Sequence, residues 1–160
     1  MGNQAAWYRI DNRLVHGQVI ENWIPYTRTR SIIVVNDELA SDELQKEIIG
    51  LAVPNNLRIV FTSVRELMHT LDSVFNQGKG LNGAFFLFAS CRDAKRAFEQ
   101  GLHFEHLNIG NIHYGPGRKP VCDHVALSKE DAGCLRHLSR EGVDLDFRCV
   151  PNTPVQVKEF

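Results

Sequence analysis

Short apolar runs alternate with helical stripes along nearly the whole chain, and that alternation narrows the fold more than any other feature. Ser31 to Asn36, Leu57 to Phe61, Ala84 to Ala89, His106 to Ile109 and Leu145 to Val150 are compact and rich in β-branched or aromatic residues. Runs of this length without polar alternation suit strands buried on both faces. The segments between them carry helix-start chemistry. Ser41-Asp42-Glu43 opens a helix whose apolar face is Leu44, Ile48, Leu51 and Ala52, ended by Pro54. Ser63 and Glu66 make a capping box before Val64, Leu67, Met68, Leu71, Val74 and Phe75. Ser90 with Asp93 caps a helix carrying Ala94, Ala97 and Phe98, stopped at Gly101. Ser128 caps another, with Ala132, Leu135 and Leu138 inward and Gly142 beyond. This order predicts an α/β fold: an open, twisted, mainly parallel sheet with helices on both faces. Val121 and Val125-Ala126-Leu127 add an antiparallel edge pair. The right-handed crossover rule limits the topologies without giving a strand order. The 160 residues are expected to form a single domain, 1–160, with no linker or repeat.

The first strand of such a sheet falls at Trp7-Tyr8, and the next eleven residues are chemically dense. Arg9-Ile10-Asp11-Asn12-Arg13-Leu14-Val15-His16-Gly17-Gln18-Val19 reads as a charged loop ending in glycine, before one or two helical turns over Val19 to Ile24. A helix N-terminus offers unpaired amides and a positive dipole end to an anion. Gly17, lacking a Cβ, lets the backbone approach a bound group. His16 is the one side chain here that is a nucleophile and largely uncharged near neutral pH. A position just after a strand, at a sheet's carboxyl end, is also where open α/β proteins bind ligands.

The run from Arg9 to Val19 closely resembles the signature of IIB subunits of the mannose/fructose/sorbose class of bacterial phosphotransferase systems. Ile32 to Glu38, Leu107 to Asn111 and Gly142 to Arg148 resemble that family's later strands, so the likeness extends from about Trp7 to about Pro151. The resemblance implies a transferase with a covalent phosphohistidine, a kinase in the broad sense, acting in sugar transport. His16 matches the phosphorylated histidine, which in this family carries phosphate on Nδ1. It would accept the group from a phosphorylated IIA protein or domain. It would pass it to a sugar held by membrane IIC and IID partners. Arg13, Asp11, Gly17 and Gln18 are the expected phosphate-binding set: Arg13 to neutralise oxygens, Asp11 or a nearby carbonyl to hold one ring nitrogen, the backbone of His16 to Gln18 to complete the cradle. Arg9 is expected to serve there or to pack against the strand end. Asn36, Asp37, Phe88, Ser90 and Asn111, at neighbouring strand ends, are the expected docking rim. A homo-oligomer is compatible with the resemblance. Asn12 stands where the family often has an acid, and the His113 to Lys119 loop is more basic and proline-rich than the family pattern. A phosphorylation-dependent regulatory module without transport is the alternative reading.

Phosphoryl transfer of this kind is positioning and electrostatics, so neither a metal nor another cofactor is expected. A metal-dependent hydrolase would have to use His103, His106, His113, Cys122, Asp123 and His124, whose spacings match no recognised zinc pattern. Cys91, at a helix start, is the only cysteine of the four with a reactive setting, and it has no partner base in sequence. Gly78-Lys79-Gly80 precedes a strand and not a helix, which removes a nucleotide-loop reading. A net charge of -1 gives no electrostatic case for nucleic acid or an anionic membrane. Scattered cysteines, no apolar run near the length of a bilayer span, and a start at Met1-Gly2 without signal-peptide regions, with Ala6 where myristoylation needs Ser or Thr, lead to the expectation of a cytoplasmic protein; the resemblance implies that it is peripherally associated with the inner membrane through the permease.

Overall fold

A computed structural model describes residues 5–75 and 80–160. Met1-Gly2 and the Gln77, Gly78 and Lys79 part of the glycine-rich loop lie outside the described residues. The centre is a six-stranded parallel sheet. β1 (Trp7–Asp11) lies between β4 (Ala84–Phe88) and β5 (His106–Asn111). Beyond β4 come β2 (Ser31–Val35) and β3 (Arg58–Thr62), and beyond β5 comes β8 (Asp144–Asp146), for an order β3-β2-β4-β1-β5-β8. All five pairings in this sheet are parallel. The antiparallel pair forms a separate ribbon, β6 (Lys119–Cys122) with β7 (Val125–Leu127), tied to the chain after β5 by an Ile112–Val125 bridge.

Strand alternation divides the core into two layers. Tyr8, Ile10, Ile33, Val35, Phe86 and Phe88 face α4 (Leu67–Val74), α5 (Cys91–Glu99) and α6 (Lys129–Arg140), which contribute Leu67 and Leu71, Ala94 and Ala97, and Leu135 and Leu138. Ile32, Val34, Phe85 and Leu87 face the other way, onto Val19, Trp23 and Ile24. Val19 and Trp23 belong to a π-helical turn, Val19–Trp23, that runs into α1 (Ile24–Thr27), which carries Ile24. Ser90 caps α5 by accepting from the Asp93 amide and Ser128 caps α6, as their sequences predict, and Asp131 adds the reciprocal bond of a capping box on α6.

Three elements differ from expectation. Arg9, Ile10 and Asp11 are strand and not loop, because the charged pair is satisfied inside the sheet. The last strand ends at Asp146, where the carboxylate captures the Arg148 amide and guanidinium and turns the chain away. The 37–52 segment forms two helices, α2 (Asp37–Ala40) capped by Asn36 and α3 (Glu43–Ala52) capped by Asp42. The predicted apolar face of α3 is present but uncovered: Leu44 is 65% exposed, Ile48 49% and Leu51 84%. Periodicity shows that a helix has an apolar stripe; it carries no information on what covers it.

Candidate active site

The site stands where β1 leaves the sheet. Asn12 donates its amide to the Asn111 carbonyl (3.0 Å), continuing the β1–β5 ladder past a bulge that sets Ile10 opposite Ile109 and Asp11 opposite Asn111. Gly110 is the residue the bulge skips. A bulge bends the strand and re-aims side chains, and here it turns polar groups of both strands toward one another. The chain then folds back on Asp11, whose Oδ1 accepts the Arg13 amide (3.0 Å) and whose carbonyl accepts the Leu14 amide (2.9 Å). Leu14 adopts a left-handed φ of 55° to make that turn. The Val19 and Ile20 amides both reach the His16 carbonyl at 3.1 Å, so His16 sits at the entry of the helical segment.

Asp11 is completely buried and His16 keeps 15% of its side chain exposed. Asp11 Oδ2 lies 2.9 Å from His16 Nε2. The same oxygen accepts from Arg9 Nη2 (2.9 Å) and from Asn111 Nδ2 (2.8 Å). Burial on its own would lift the Asp11 carboxyl; the Arg9 charge, the Asn111 and His16 hydrogen bonds and the Arg13 amide together hold it below the usual carboxylate range. An ionised carboxylate only accepts, so His16 Nε2 carries the hydrogen of this bond, and in the neutral ring the lone pair is on Nδ1. Among the described residues nothing bonds to Nδ1. The ring is thus oriented by one nitrogen and open at the other, which is the form a nucleophile requires.

Arg13 is exposed, inside the turn that its amide stabilises, and its guanidinium has no hydrogen-bond partner among the described residues. It borders a cavity of about 510 Å³ that Asn111, His113, Tyr114 and His124 also line. Gly17 is exposed at the helix entry with open space around it. For Gln18 the expectation concerns the backbone N–H, and its side chain has a different place. The side-chain amide points inward, accepting from Arg9 Nη2 (3.0 Å) and Asn111 Nδ2 (2.9 Å) and donating to Cys149 Sγ (3.2 Å). Asp11 holds one nitrogen of the His16 ring, the part expected of it or of a nearby carbonyl.

The expected docking rim separates into two groups. Asp37 is exposed beside Arg96, and Asn36 and Ser90 are half-buried caps. Phe88 is wholly inside the core and cannot meet a partner surface, whereas Asn111 is held in the Asp11 network and borders the cavity beside Arg13. Asn108, Trp23 and Cys149 belong to the site's support without having been singled out by sequence. Two asparagines flanking Ile109-Gly110 in an otherwise apolar strand were the available signal. The metal constellation does not assemble. His103 and His106 line a cleft at the amino end of the sheet, whereas His113 and His124 stand by the ribbon at the carboxyl end. Among the described residues no three His, Cys, Asp or Glu side chains converge as metal ligands. Cys91 is fully buried, and burial pushes its thiol well up. No described helix is long and apolar enough to cross a membrane.

Comparison with known proteins gives a consistent result. A family model described as "PTS system sorbose subfamily IIB component" matches residues 5–158. The chain is 31% identical over 151 residues to the "PTS system sorbose-specific EIIB component" of Klebsiella pneumoniae, covering 94% of this chain and 90% of that protein. It is 28% identical over 146 residues to the "PTS system mannose-specific EIIAB component" of Escherichia coli (strain K12), covering 91% of this chain but 44% of that longer protein. The crystal structure of the IIBSor domain of the sorbose permease from Klebsiella pneumoniae superposes with a TM-score of 0.83 at 30% identity, over 93% of this chain and 90% of that one.

Proposed function

Because this chain belongs to the sorbose subfamily of IIB components of the phosphotransferase system, we propose that His16 is its phosphoryl acceptor, with Nδ1 as the attacking atom. IIB components of this family act as phosphotransferases in sugar phosphotransferase systems; the residue, the atom and the partners are our reading. The observation that carries it is the Asp11 bond to His16 Nε2, which orients the ring and leaves Nδ1 free beside the exposed Arg13. In the transfer, the Nδ1 lone pair forms the new N–P bond while the bond to the donor histidine breaks, and the donor nitrogen departs with that electron pair. Positive charge then develops on the His16 ring, and the Asp11 carboxylate against Nε2–H meets it. Arg13 offers a planar fork to the phosphoryl oxygens, and the Gly17 and Gln18 backbone amides, which donate to nothing among the described residues, offer donors.

The donor is a phosphorylated IIA protein or domain, a reading supported by the mannose-specific relative whose name joins A and B in one EIIAB component. The onward acceptor is a sugar hydroxyl presented by membrane IIC and IID partners on the cytoplasmic side. Residues 1–160 serve as one IIB domain in this scheme. The test is incubation with phosphoenolpyruvate, enzyme I, HPr and a panel of IIA proteins, with intact mass and acid lability as the readouts. One acid-labile phosphoryl group is expected on the wild-type chain and none on His16→Gln. Phosphate that persists on His16→Gln contradicts the assignment.

A further inference from the structure

The central sheet buries an arginine completely. Arg9 lies directly beneath Asp11, with no exposed surface. Besides Asp11 it donates from Nη1 to Asn108 Oδ1 and from Nη2 to Gln18 Oε1, so its fork is held on three sides. The Trp23 ring lies 5.0 Å from its Cζ. A fourth side is closed by Gly110: a Cβ there would overlap the guanidinium itself. The chain therefore devotes a glycine, a tryptophan and two amide side chains to seating one cation that touches neither solvent nor His16. Simple packing does not require that, since an apolar residue would fill the space without the desolvation cost of a buried charge.

We infer that Arg9 is a positioning residue that sets the proton affinity of His16 through Asp11. A buried carboxylate with no cation beside it has two outlets: it binds a proton itself, or it drives one onto its neighbour. The first would leave the His16 ring without an anionic anchor. The second would make His16 an imidazolium, protonated on both nitrogens and devoid of a lone pair at Nδ1. Arg9 closes both, keeping Asp11 ionised and taking a share of its field away from the ring. The other groups around the ring and its anchor do not duplicate this. Arg13 donates only its backbone amide to Asp11; Gln18 and Asn111 are neutral; Cys149 contacts the two amides; and Arg148, which shares the Trp23 ring with Arg9, is committed to Asp146. The consequence for transfer rests on His16 being the acceptor, whereas the inference about proton affinity does not.

The test is an NMR pH titration of the His16 imidazole in histidine-labelled protein, with no phosphoryl donor present. Removing the cation in Arg9→Met should move the His16 titration midpoint upward by about one pH unit or more, a tenfold change in proton affinity. Arg9→Lys, which keeps the charge, should stay nearer the wild type. A folded Arg9→Met whose midpoint is unchanged overturns the inference. Should Arg9→Met not fold, Arg9→Gln, which keeps amide donors for Asp11 and Asn108 without the charge, takes its place with the same expected upward shift of about one unit; a folded Arg9→Gln with the wild-type midpoint overturns the inference. Phosphorylation is scored separately, so a failure of the acceptor assignment leaves this result readable.

Discussion

β4 and β1 are neighbours in the middle of the same sheet and equally deep, yet they are chemically opposite. Every residue of β4 is apolar and buried, with Phe85 and Leu87 serving one layer and Phe86 and Phe88 the other. β1 begins in the same manner, with Tyr8 stacked 4.8 Å from Phe86, and then places Arg9 and Asp11 where an apolar strand would continue. Arg9 is paired with Leu87 on one side and Asn108 on the other. The sheet thus changes character across β1: toward β4 it is a hydrophobic core, and toward β5 it is a buried polar network. The hydrophobic side supplies stability through area removed from water. The polar side contributes orientation, because hydrogen-bonded charges in a dry setting have few alternative arrangements.

The contrast can be broken at either side, and the largest effect belongs to the polar one. His16→Gln should abolish phosphorylation while leaving thermal unfolding unchanged, as its side chain contributes little to the core. Phe86→Ala tests the other side: it should destabilise by about 3–5 kcal/mol in urea unfolding, with the site chemistry of the folded fraction retained. Arg13→Gln should slow phosphoryl transfer roughly 100-fold without altering stability, the magnitude of losing one preorganised donor. The Asp11 carboxyl adds a pH signature. Held below its unfolded-state value, it contributes stability above about pH 4, and that contribution is lost as pH falls through the folded value, where the unfolded chain binds the proton first. The acid limb of wild-type stability should therefore flatten in Asp11→Asn, measured by denaturation between pH 6 and the acid transition. Leu51→Ala, on the exposed stripe of α3, should change stability by less than about 0.5 kcal/mol despite its place in an apolar periodicity.

Legibility in the amino-acid sequence divides along the same line. Core strands and capped helices are local: Ala84 to Phe88 is recognisable from its own composition, and the Ser90 and Ser128 caps from three-residue spacings. The motif around His16 was legible too, both as a strand-loop-helix signal and as a family likeness. What escaped was the location of Arg9 and Asp11 inside β1. Two charges in five residues argue for a loop unless their partners are known, and those partners, Asn108 and Asn111, are about a hundred residues away in sequence. The inward turn of Gln18 and the burial of Phe88 at a strand end were invisible for the same reason. α3 erred in the opposite sense, showing a helical stripe that the rest of the molecule leaves uncovered.

The most direct test of the central claim is the nitrogen to which phosphate binds. Phosphorylated protein carrying 15N-labelled histidine should show phosphorus coupling at Nδ1 of His16 and a hydrogen retained on Nε2, the nitrogen that Asp11 holds. Coupling at Nε2 would contradict the account, because it would require the Asp11 bond to break before the chemistry and would remove the reason for the buried network beneath it.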